Sequence, residues 1–565
     1  MQAATMAEAL RRTAAEHGDV LAVRTRDDEV AWTWAELLRR VDALAGGLAR
    51  LGVGRGDTVA LMLANRPEFH LADMAAVTLG AVPFSIYLTS SPEQVAYVLR
   101  DAAPRVAIVE QRFTELVCGH VEHVIDAGRL HELAEPGFDA EPHWRAVVPD
   151  DVLTLIYTSG TTGPPKGVQL LHRNQMAAVD AVQERAGFGP GARVISWLPS
   201  AHVAERTAHH YLPVAYGMTI TTCPDPRRIG EWLPAVRPTW FFAVPRVWEK
   251  LKAGVEARLG EREAALIETA ERRVELEQAG EEVPPDLAAA CAAADEALFA
   301  PLRAAIGLDQ ASLVNVGAAP TPRDVLVFFH AIGIPLAEIW GMSETCGAGC
   351  SNPAGAVKIG TVGVSAPGVE VELAPDGELL VRSPVVMAGY RNLPERTAEA
   401  LDAAGWLHTG DIATIDEDGY VTIVDRKKEL IIDAGGKNMS PANIEAAVKG
   451  ASPLIGQACV IGDRRPFVTA LIVLDADYAP VWAARAGIDG DLSALARDDR
   501  VRAGVQAGVD AANATLSRPE QVKRFTLIEG DWLPGGEELT PTMKLRRRPI
   551  AEKYAEAIEA MYADY

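Results

Sequence analysis

The stretch Thr158-Ser159-Gly160-Thr161-Thr162-Gly163-Pro164-Pro165-Lys166-Gly167 decides the fold of this chain. It follows an apolar, β-branched run, residues 152–157, which predicts a buried strand. Its glycines let backbone N–H groups surround an anion, and its hydroxyls and lysine add donors and a positive charge. The stretch therefore predicts a phosphate-binding loop, with a flexible surface turn as the alternative. Proline before Lys166 and glycine after it depart from G-x-x-x-x-G-K-[ST], which disfavours a kinase- or GTPase-type site.

Size and charge narrow the class of protein. A chain of 565 residues is too long for one core, so we expect two or more domains. The net charge of −23 argues against a nucleic-acid partner. Six cysteines do not form a disulfide framework, and the first 18 residues lack the apolar core of a secretory signal. We therefore expect a cytoplasmic protein, with peripheral docking on the inner membrane face left open.

The pattern along the chain predicts an α/β fold. Helix and strand signals alternate in the first part, which indicates a large multi-layer N-terminal domain of mostly parallel sheets. Residues 253–305 predict a helical insertion, either packed on the surface or partly projecting. Hairpin signals after Pro367 precede a small, mobile α+β domain, in which residues 476–513 suggest amphipathic helix. We expect domains at 1–425 and 426–565, with a hinge near 425–429.

Two further motifs end predicted strands. Trp340-Gly341-Met342-Ser343-Glu344-Thr345 offers a flat aromatic ring and a hard carboxylate oxygen suited to Mg²⁺. Gly317-Ala318-Ala319-Pro320 has small residues where a bulky side chain would block a flat ring. The alternatives are a helix-capping carboxylate and a plain strand-to-helix turn.

Charged residues near the C-terminus complete the set. In Trp406-Leu407-His408-Thr409-Gly410-Asp411, the carboxylate can accept hydrogen bonds from both ribose hydroxyls, whereas His408 suits a structural role. Arg426 adds a permanent cation fifteen residues later. Lys544, in a basic segment that runs to Arg548, is a mobile positive charge.

In this order the motifs resemble those of the adenylate-forming (AMP-binding) superfamily, which includes acyl-CoA synthetases, luciferases and the adenylation domains of peptide synthetases. The resemblance spans roughly residues 32–548. Trp340 and Ser343 stand where the family usually has tyrosine and threonine, and Met543 replaces the glycine that usually precedes the C-terminal lysine.

The resemblance implies a role for each motif. Lys544, Thr158 and Glu344 would be catalytic, the last two sharing Mg²⁺, while Asp425 and Lys428 would form the hinge between two half-reactions. The nucleotide and CoA contacts would come from Ser159, Gly160, Thr161, Thr162, Gly163, Lys166, Gly317, Ala318, Ala319, Pro320, Trp340, Gly341, Met342, Ser343, Thr345, Asp411, Arg426, Gly435 and Gly436. The last two would let the pantetheine arm of CoA pass closely.

A likeness to one branch of this superfamily suggests which carboxylic acid is the substrate. Residues 198–206 and 244–251, with the helical insertion, resemble the long-chain acyl-CoA synthetases. His202 would lie near the substrate carboxylate, although packing at a helix start is the alternative. Some bacterial members gate the acyl tunnel with a tryptophan where this chain has Arg206, so no gate is expected there.

The resemblance thus implies an ATP-dependent ligase that activates a long-chain fatty acid as acyl-AMP and transfers it to CoA. Alternatives are an acyl-AMP ligase that loads a carrier protein, a non-catalytic nucleotide-binding protein on the same scaffold, and a phosphoryl-transfer kinase. A monomer and a homodimer both remain open.

Overall fold

The computed structural model describes residues 3–158, 164–432, 438–540 and 543–563. Its strands, in chain order, are β1 (Leu21–Arg24), β2 (Ala31–Thr33), β3 (Thr58–Met62), β4 (Val82–Ser85), β5 (Val106–Val109), β6 (His123–Asp126), β7 (Val152–Thr158), β8 (Lys166–Leu171), β9 (Arg193–Ser196), β10 (Thr219–Thr222), β11 (Trp240–Ala243), β12 (Leu313–Val316), β13 (Ala337–Trp340), β14 (Cys350–Ser351), β15 (Val364–Ser365), β16 (Glu370–Leu373), β17 (Glu378–Arg382), β18 (Gly389–Tyr390), β19 (Leu407–Ile415), β20 (Val421–Arg426), β21 (Ile431–Ile432), β22 (Asn438–Met439), β23 (Ile455–Ile461), β24 (Val468–Leu474) and β25 (Val522–Ile528).

The α-helices are α1 (Met6–Glu16), α2 (Trp34–Arg50), α3 (Pro67–Thr78), α4 (Pro92–Ala102), α5 (Thr114–Val117), α6 (Leu130–Leu133), α7 (Glu141–Arg145), α8 (His172–Ala186), α9 (Val203–Arg206), α10 (Leu212–Tyr216), α11 (Ile229–Val236), α12 (Pro245–Glu256), α13 (Glu261–Gln278), α14 (Pro285–Ala294), α15 (Ala300–Ile306), α16 (Arg323–Ala331), α17 (Pro394–Ala400), α18 (Pro441–Gly450), α19 (Tyr478–Arg485), α20 (Leu492–Arg497), α21 (Asp499–Thr515), α22 (Arg547–Lys553) and α23 (Ala555–Ala560). Within the described ranges, no helix is both long enough and apolar enough to span a bilayer.

The largest sheet carries the threonine-rich stretch. Its strand order is β18-β8-β7-β4-β3-β5-β6, with parallel pairing from β7 to β6 and antiparallel pairing of β7 with β8 and of β8 with β18. β7 lies inside the sheet and its central residues are buried, which confirms the predicted buried strand.

The sheets are more mixed than we expected. β11, β12 and β13 run parallel and continue into antiparallel β14 and β15, whereas β16, β17, β19 and β20 form a fully antiparallel sheet. The connections explain the difference. A parallel pair needs a crossover of a dozen or more residues, whereas residues 159–165 between β7 and β8 suffice only for a hairpin.

The helical insertion packs against the body of the N-terminal part. Ile267, Ala270 and Val274 of α13 are buried, and this helix contacts α16. Its apolar face is therefore covered, so of the two predicted arrangements the insertion has the one that is packed on the surface. The prediction for residues 476–513 needs correction, because the region contains three helices, α19, α20 and most of α21. Gly487 and Gly490 adopt positive φ after α19, and Asp491 and Asp498 cap the two helices that follow.

The C-terminal part has its own apolar core. β23, β24 and β25 form its sheet, and α18 and α21 cover one face. Ion pairs connect it to α12 of the N-terminal part: Arg246 pairs with Asp475, and Lys250 Nζ lies 2.6 Å from Asp477. These contacts hold the two parts together in the arrangement observed here.

A charged cluster lies in the N-terminal core. Asp73 of α3 accepts hydrogen bonds from Arg206 and pairs with His210 at 2.9 Å, and the Asp73 and Arg206 side chains are fully buried. Burial opposes ionisation of Asp73, but Arg206 and His210 still hold its pKa below the ordinary value. Arg206 also donates to Tyr211 at 2.7 Å. The Arg206 guanidinium therefore lies inside the core, where Asp73 and Tyr211 accept its hydrogen bonds.

We predict that Arg206→Met destabilises the fold strongly, because it leaves Asp73 buried without its permanent cation. Removing one partner of a buried ion pair costs roughly 3–5 kcal/mol, which urea denaturation would measure. The control is Glu132→Ala, which removes an exposed partner of Arg129 and should not move the urea midpoint. Equal midpoints for the two variants would contradict this prediction.

Candidate active site

The described ends of the threonine-rich stretch, Thr158 and Lys166, belong to two paired strands. Thr158 ends β7 and pairs with Lys166 at the start of β8, and Thr158 Oγ1 donates to the Lys166 carbonyl at 3.5 Å. Ser159, Gly160, Thr161, Thr162 and Gly163 lie outside the described residues. The hairpin therefore holds the proposed magnesium hydroxyl and the loop lysine side by side.

Lys166 and Glu344 are linked by a residue that the sequence did not indicate. Tyr390 Oη donates to Glu344 Oε1 at 2.7 Å, and Lys166 Nζ lies 4.1 Å from the centre of the Tyr390 ring. Burial and then Glu344 raise the pKa of Tyr390, so the phenol stays protonated. Desolvation lowers the pKa of Lys166, and Glu344 opposes that shift. Only the dipeptide Gly389-Tyr390 marks this position, and such a pair has no distinctive pattern.

Trp340, Asp411 and Arg426 form a second group. Trp340 Nε1 donates to Asp411 Oδ2 at 2.8 Å, and Arg426 Nε lies 2.7 Å from Asp411 Oδ1. β19 and β20 place Asp411 opposite Arg426 in register, so the sheet sets this pairing. Asp411 is only 3% exposed. Burial raises its pKa, while Arg426 and Trp340 oppose the rise.

Glycines allow the strand ends to approach each other. A Cβ on Gly341 would lie 2.2 Å from the carbonyl oxygen of Gly347, and one on Gly349 would lie 2.5 Å from the Trp340 ring. Gly317 is buried below the exposed Ala318, Ala319 and Pro320, and Ala318 adopts φ of 71°. The turn after β12 thus opens to solvent beside the end of β13.

Lys544 comes from the C-terminal part into electrostatic range of Asp411 and Glu344, and we call the region between these three side chains the cleft. Its charge acts on Asp411 and Glu344, and desolvation followed by Arg426 lowers its pKa even though solvent still reaches the side chain. Its backbone N–H donates to Thr540 Oγ1 at 3.0 Å. Met543 adopts φ of 65°, so the position where relatives usually have glycine keeps the left-handed conformation that glycine favours.

His202 caps helix α9, and the charge of Lys544 acts on its imidazole. Its Nδ1 accepts the N–H of Ala204 at 3.1 Å, so the alternative of packing at a helix start holds. Burial lowers the pKa of His202 to about 4, and Lys544 contributes to the shift. The ring is therefore neutral at pH 7, and with Nδ1 as acceptor its proton lies on Nε2.

The proposed hinge joins β20 to α18. Asp425 is buried and accepts hydrogen bonds from Ser440 Oγ and from the N–H of Ala442 at 3.2 Å. Lys428 is exposed. Gly435 and Gly436 lie outside the described residues. Asp425 therefore fastens the first helix of the C-terminal part to the last strand of the N-terminal sheet.

The donors suit a magnesium ion. Glu344 is 6% exposed, and within the described ranges its Oε2 has no hydrogen-bond donor from the protein. Thr158 contributes a hydroxyl at the mouth of the same hairpin as Lys166. Carboxylate and hydroxyl oxygens, together with phosphate oxygens, are the hard ligands that Mg²⁺ prefers.

A small pocket lies beside β13 and β14. Its walls include Trp240, Ile339, Gly347 to Gly349 and Arg185. Small and apolar residues make up most of the wall.

The chain belongs to the family of AMP-binding enzymes. Residues 10–391 match the AMP-binding enzyme family, and residues 428–565 match the AMP-binding enzyme C-terminal domain. The resemblance drawn from the motifs is thereby confirmed. The exact division into domains and the role of each site residue stay predictions.

Curated relatives share the chain over most of its length. It is 36% identical to the long-chain-fatty-acid–CoA ligase FadD15 of Mycobacterium tuberculosis, covering 97% of this chain and 98% of the relative. It is 50% identical over 435 residues to the putative fatty-acid–CoA ligase fadD11 of the same species, covering 75% of this chain and 76% of the relative. The long-chain-fatty-acid–CoA ligase ACSBG2 of Gallus gallus is 30% identical, with 99% and 81% covered.

Solved structures have the same fold. O-succinylbenzoate CoA synthetase of Bacillus subtilis, in complex with its acyl-adenylate intermediate, superimposes with a TM-score of 0.73 at 23% identity, covering 96% of this chain and 97% of that one. A fatty acyl CoA synthetase of Mycobacterium tuberculosis gives 0.64 at 23% identity, with 98% and 99% covered. These likenesses confirm the α/β fold class with a large N-terminal and a smaller C-terminal domain.

We predict that Trp340→Phe weakens AMP binding about tenfold. The phenyl ring can still stack on a base, but Asp411 loses the indole donor, and a hydrogen bond to a charged group contributes roughly 1.5–3 kcal/mol. Titration calorimetry with AMP would measure the change. Trp532→Phe is the control, because Trp532 donates to Tyr554 in the C-terminal part and should leave AMP affinity unchanged. An unaltered affinity for Trp340→Phe would show that the indole N–H does not support the nucleotide site.

Proposed function

We propose that this chain is an ATP-dependent ligase that activates a long-chain fatty acid as acyl-AMP and transfers the acyl group to CoA. The observation that carries the proposal is the convergence of Glu344, Asp411, Arg426 and Lys544 on one cleft, from elements far apart in the sequence. The near-full-length likeness to long-chain-fatty-acid–CoA ligases supports the acid and the thiol acceptor.

In the first half-reaction, a carboxylate oxygen of the acid attacks the α-phosphorus of ATP, and the bond to pyrophosphate breaks. Both reactants are anionic, so positive charge must lie where they meet. Lys544 and Arg426 supply that charge, and Lys166 attracts the outer phosphates. When bound to Glu344 and Thr158, Mg²⁺ would neutralise charge on the phosphate oxygens.

The nucleoside would occupy the groove beside Trp340. Asp411 would accept hydrogen bonds from the ribose hydroxyls. The Trp340 ring and the open turn 317–320 would flank the adenine. Asp411 is already held by two donors, so its oxygens are aimed before the ribose arrives. Such preorganisation reduces the ordering cost of binding.

The acid would enter from the other side of the same motif. His202 is neutral and carries its proton on Nε2, so it can donate to a carboxylate oxygen without adding a competing charge. Arg206 lies in the buried ion pair with Asp73, and no gate is proposed at this position.

In the second half-reaction, the CoA thiolate attacks the acyl carbon and AMP leaves. Lys544 lies within electrostatic range of Asp411 and Glu344 in the observed arrangement, and this supports an orientation in which it would serve adenylation. Rotation about Asp425 and Lys428 would withdraw Lys544 and bring the segment with Gly435 and Gly436 to the cleft. Transfer to a carrier protein is less favoured, because the relatives are named for CoA. A cytoplasmic location, peripheral membrane docking and the oligomeric state stay predictions.

A panel of carboxylic acids from acetate to C20 would test the proposal. The purified chain, ATP, Mg²⁺ and CoA should yield AMP, pyrophosphate and acyl-CoA with long-chain acids. Acyl-adenylate without acyl-CoA would favour a carrier-protein ligase, and ADP would indicate phosphoryl transfer. No nucleotide turnover with any acid would refute the proposed activity.

We predict that Lys544→Ala slows adenylation by about 10²–10³-fold, because one preorganised charge is lost from the transition state. Thioester formation from supplied acyl-AMP should stay near the wild-type rate, since that step uses the other domain orientation. Rapid-quench assays of each half-reaction would measure both. Arg548→Ala is the matched control, because Arg548 is exposed and pairs with Glu552 four residues later. Equal loss in both half-reactions would remove Lys544 from the role assigned to it.

A further inference from the structure

The two groups proposed to hold the triphosphate and its metal come from separate parts of the chain. Glu344 lies in a short helical turn after β13, and Lys166 begins β8. Both side chains are flexible, and neither contacts the other directly within an ion-pair distance among the described residues. A further residue must therefore hold the Glu344 and Lys166 side chains at the spacing that one Mg²⁺–ATP requires.

Tyr390 lies between them and contacts both. Its hydroxyl donates to one oxygen of Glu344 at 2.7 Å, and its ring lies under the Lys166 ammonium at 4.1 Å. A donor on Oε1 restricts the rotation of the carboxylate and leaves Oε2 for a cation. A cation above a ring face is attracted to it, and more strongly where both groups are desolvated.

The backbone around Tyr390 is itself anchored to both partners. The N–H of Met387 donates to the carbonyl of Glu344 at 2.8 Å, and the N–H of Arg391 donates to the carbonyl of Gly167 at 2.8 Å. β18 pairs with β8, placing Tyr390 opposite Val168. Residues 387–391 thus form a strap, which we call the Tyr390 strap, that crosses from the glutamate turn to the loop lysine.

A glycine sets the course of the strap. Gly389 adopts φ of 145°, and a Cβ there would lie 2.7 Å from Thr397 Cγ2. The Thr397 hydroxyl accepts the N–H of Tyr390 at 2.9 Å. The position of the phenol is therefore set by main-chain contacts rather than by the substrate.

We propose that Tyr390 is a positioning residue for adenylation, which holds the magnesium carboxylate of Glu344 and the phosphate-binding lysine Lys166 in register. This inference rests on the proposed function and deepens it. Partners that orient a metal ligand commonly change metal affinity by 10–100-fold when they are lost. Tyr390 does not contact reacting atoms and transfers no proton in this role.

Tyr390→Phe separates the hydroxyl from the ring. We expect the Mg²⁺ concentration for half-maximal adenylation to rise about tenfold, while the rate at saturating Mg²⁺ stays within about threefold of wild type. Thioester formation from supplied acyl-AMP should not change, because that step needs no triphosphate. Tyr390→Leu, which also removes the ring, should raise the KM for ATP in addition.

A binding measurement gives a readout that does not depend on turnover. Calorimetry with α,β-methylene-ATP, once with Mg²⁺ and once with EDTA, gives the gain in affinity due to the metal. Tyr390→Phe should reduce that gain about tenfold and leave the affinity in EDTA unchanged. Tyr216→Phe is the matched control, since its phenol also donates to a carboxylate, that of Asp180 on α8.

The outcomes distinguish this inference from the function on which it rests. A wild-type enzyme that forms no AMP from any fatty acid refutes the proposed function. An active wild-type enzyme whose Tyr390→Phe variant keeps the same Mg²⁺ dependence and the same metal-dependent affinity overturns only the positioning role. Equal loss of both half-reactions with a lowered Tm would also overturn it, because Tyr390 would then serve only folding.

Discussion

The ion pair between Asp411 and Arg426 is the interaction around which the cleft is organised. The two residues face each other across β19 and β20, and the chain then passes directly into the C-terminal part. A carboxylate that is almost fully buried is costly unless strong donors surround it. Arg426 and the indole of Trp340 provide those donors and offset part of the cost of burying Asp411, whose pKa is still raised by burial.

The cleft balances charge between the two domains. The N-terminal part contributes Glu344 and Asp411, and the C-terminal part brings Lys544 towards them. Attraction of Lys544 to these carboxylates favours the observed arrangement, and the pairs of α12 with Asp475 and Asp477 add to it. These outer pairs are partly exposed, so each contributes little by itself. They would therefore offer little resistance to the domain rotation proposed for the second half-reaction.

The cluster around Asp73 and Arg206 differs from these outer ion pairs in its burial. It is fully buried and lies beside residues 207–211, which form a π-helical segment between α9 and α10. Thr207 in that segment donates to the carbonyl of Cys346, just beyond the Glu344 motif. The cluster thus fixes the helix that begins at His202, and it connects the packing of the core to the geometry of the cleft.

Local patterns predicted the elements that depend on local forces. The buried strand predicted at 152–157 and the helical insertion predicted within 253–305 are both present. The region 476–513 is helical, as predicted, but it is divided into three helices, and Gly487 and Gly490 adopt positive φ between the first two. The sequence could not decide whether the helical insertion packs on the surface or projects from it, because the helix that covers it, α16, is distant in the chain.

What the sequence determined by itself is the family, the order of the motifs and the chemistry that each residue type allows, since these depend on side-chain type and spacing. Only the tertiary structure decided which groups meet. Tyr390 touches Glu344 and Lys166, Trp340 donates to Asp411, and Arg206 is committed to Asp73. Each of these pairs is joined by strand pairing or core packing across tens to hundreds of residues. Such long-range contacts leave no periodic trace in the chain, so no local pattern could have indicated them.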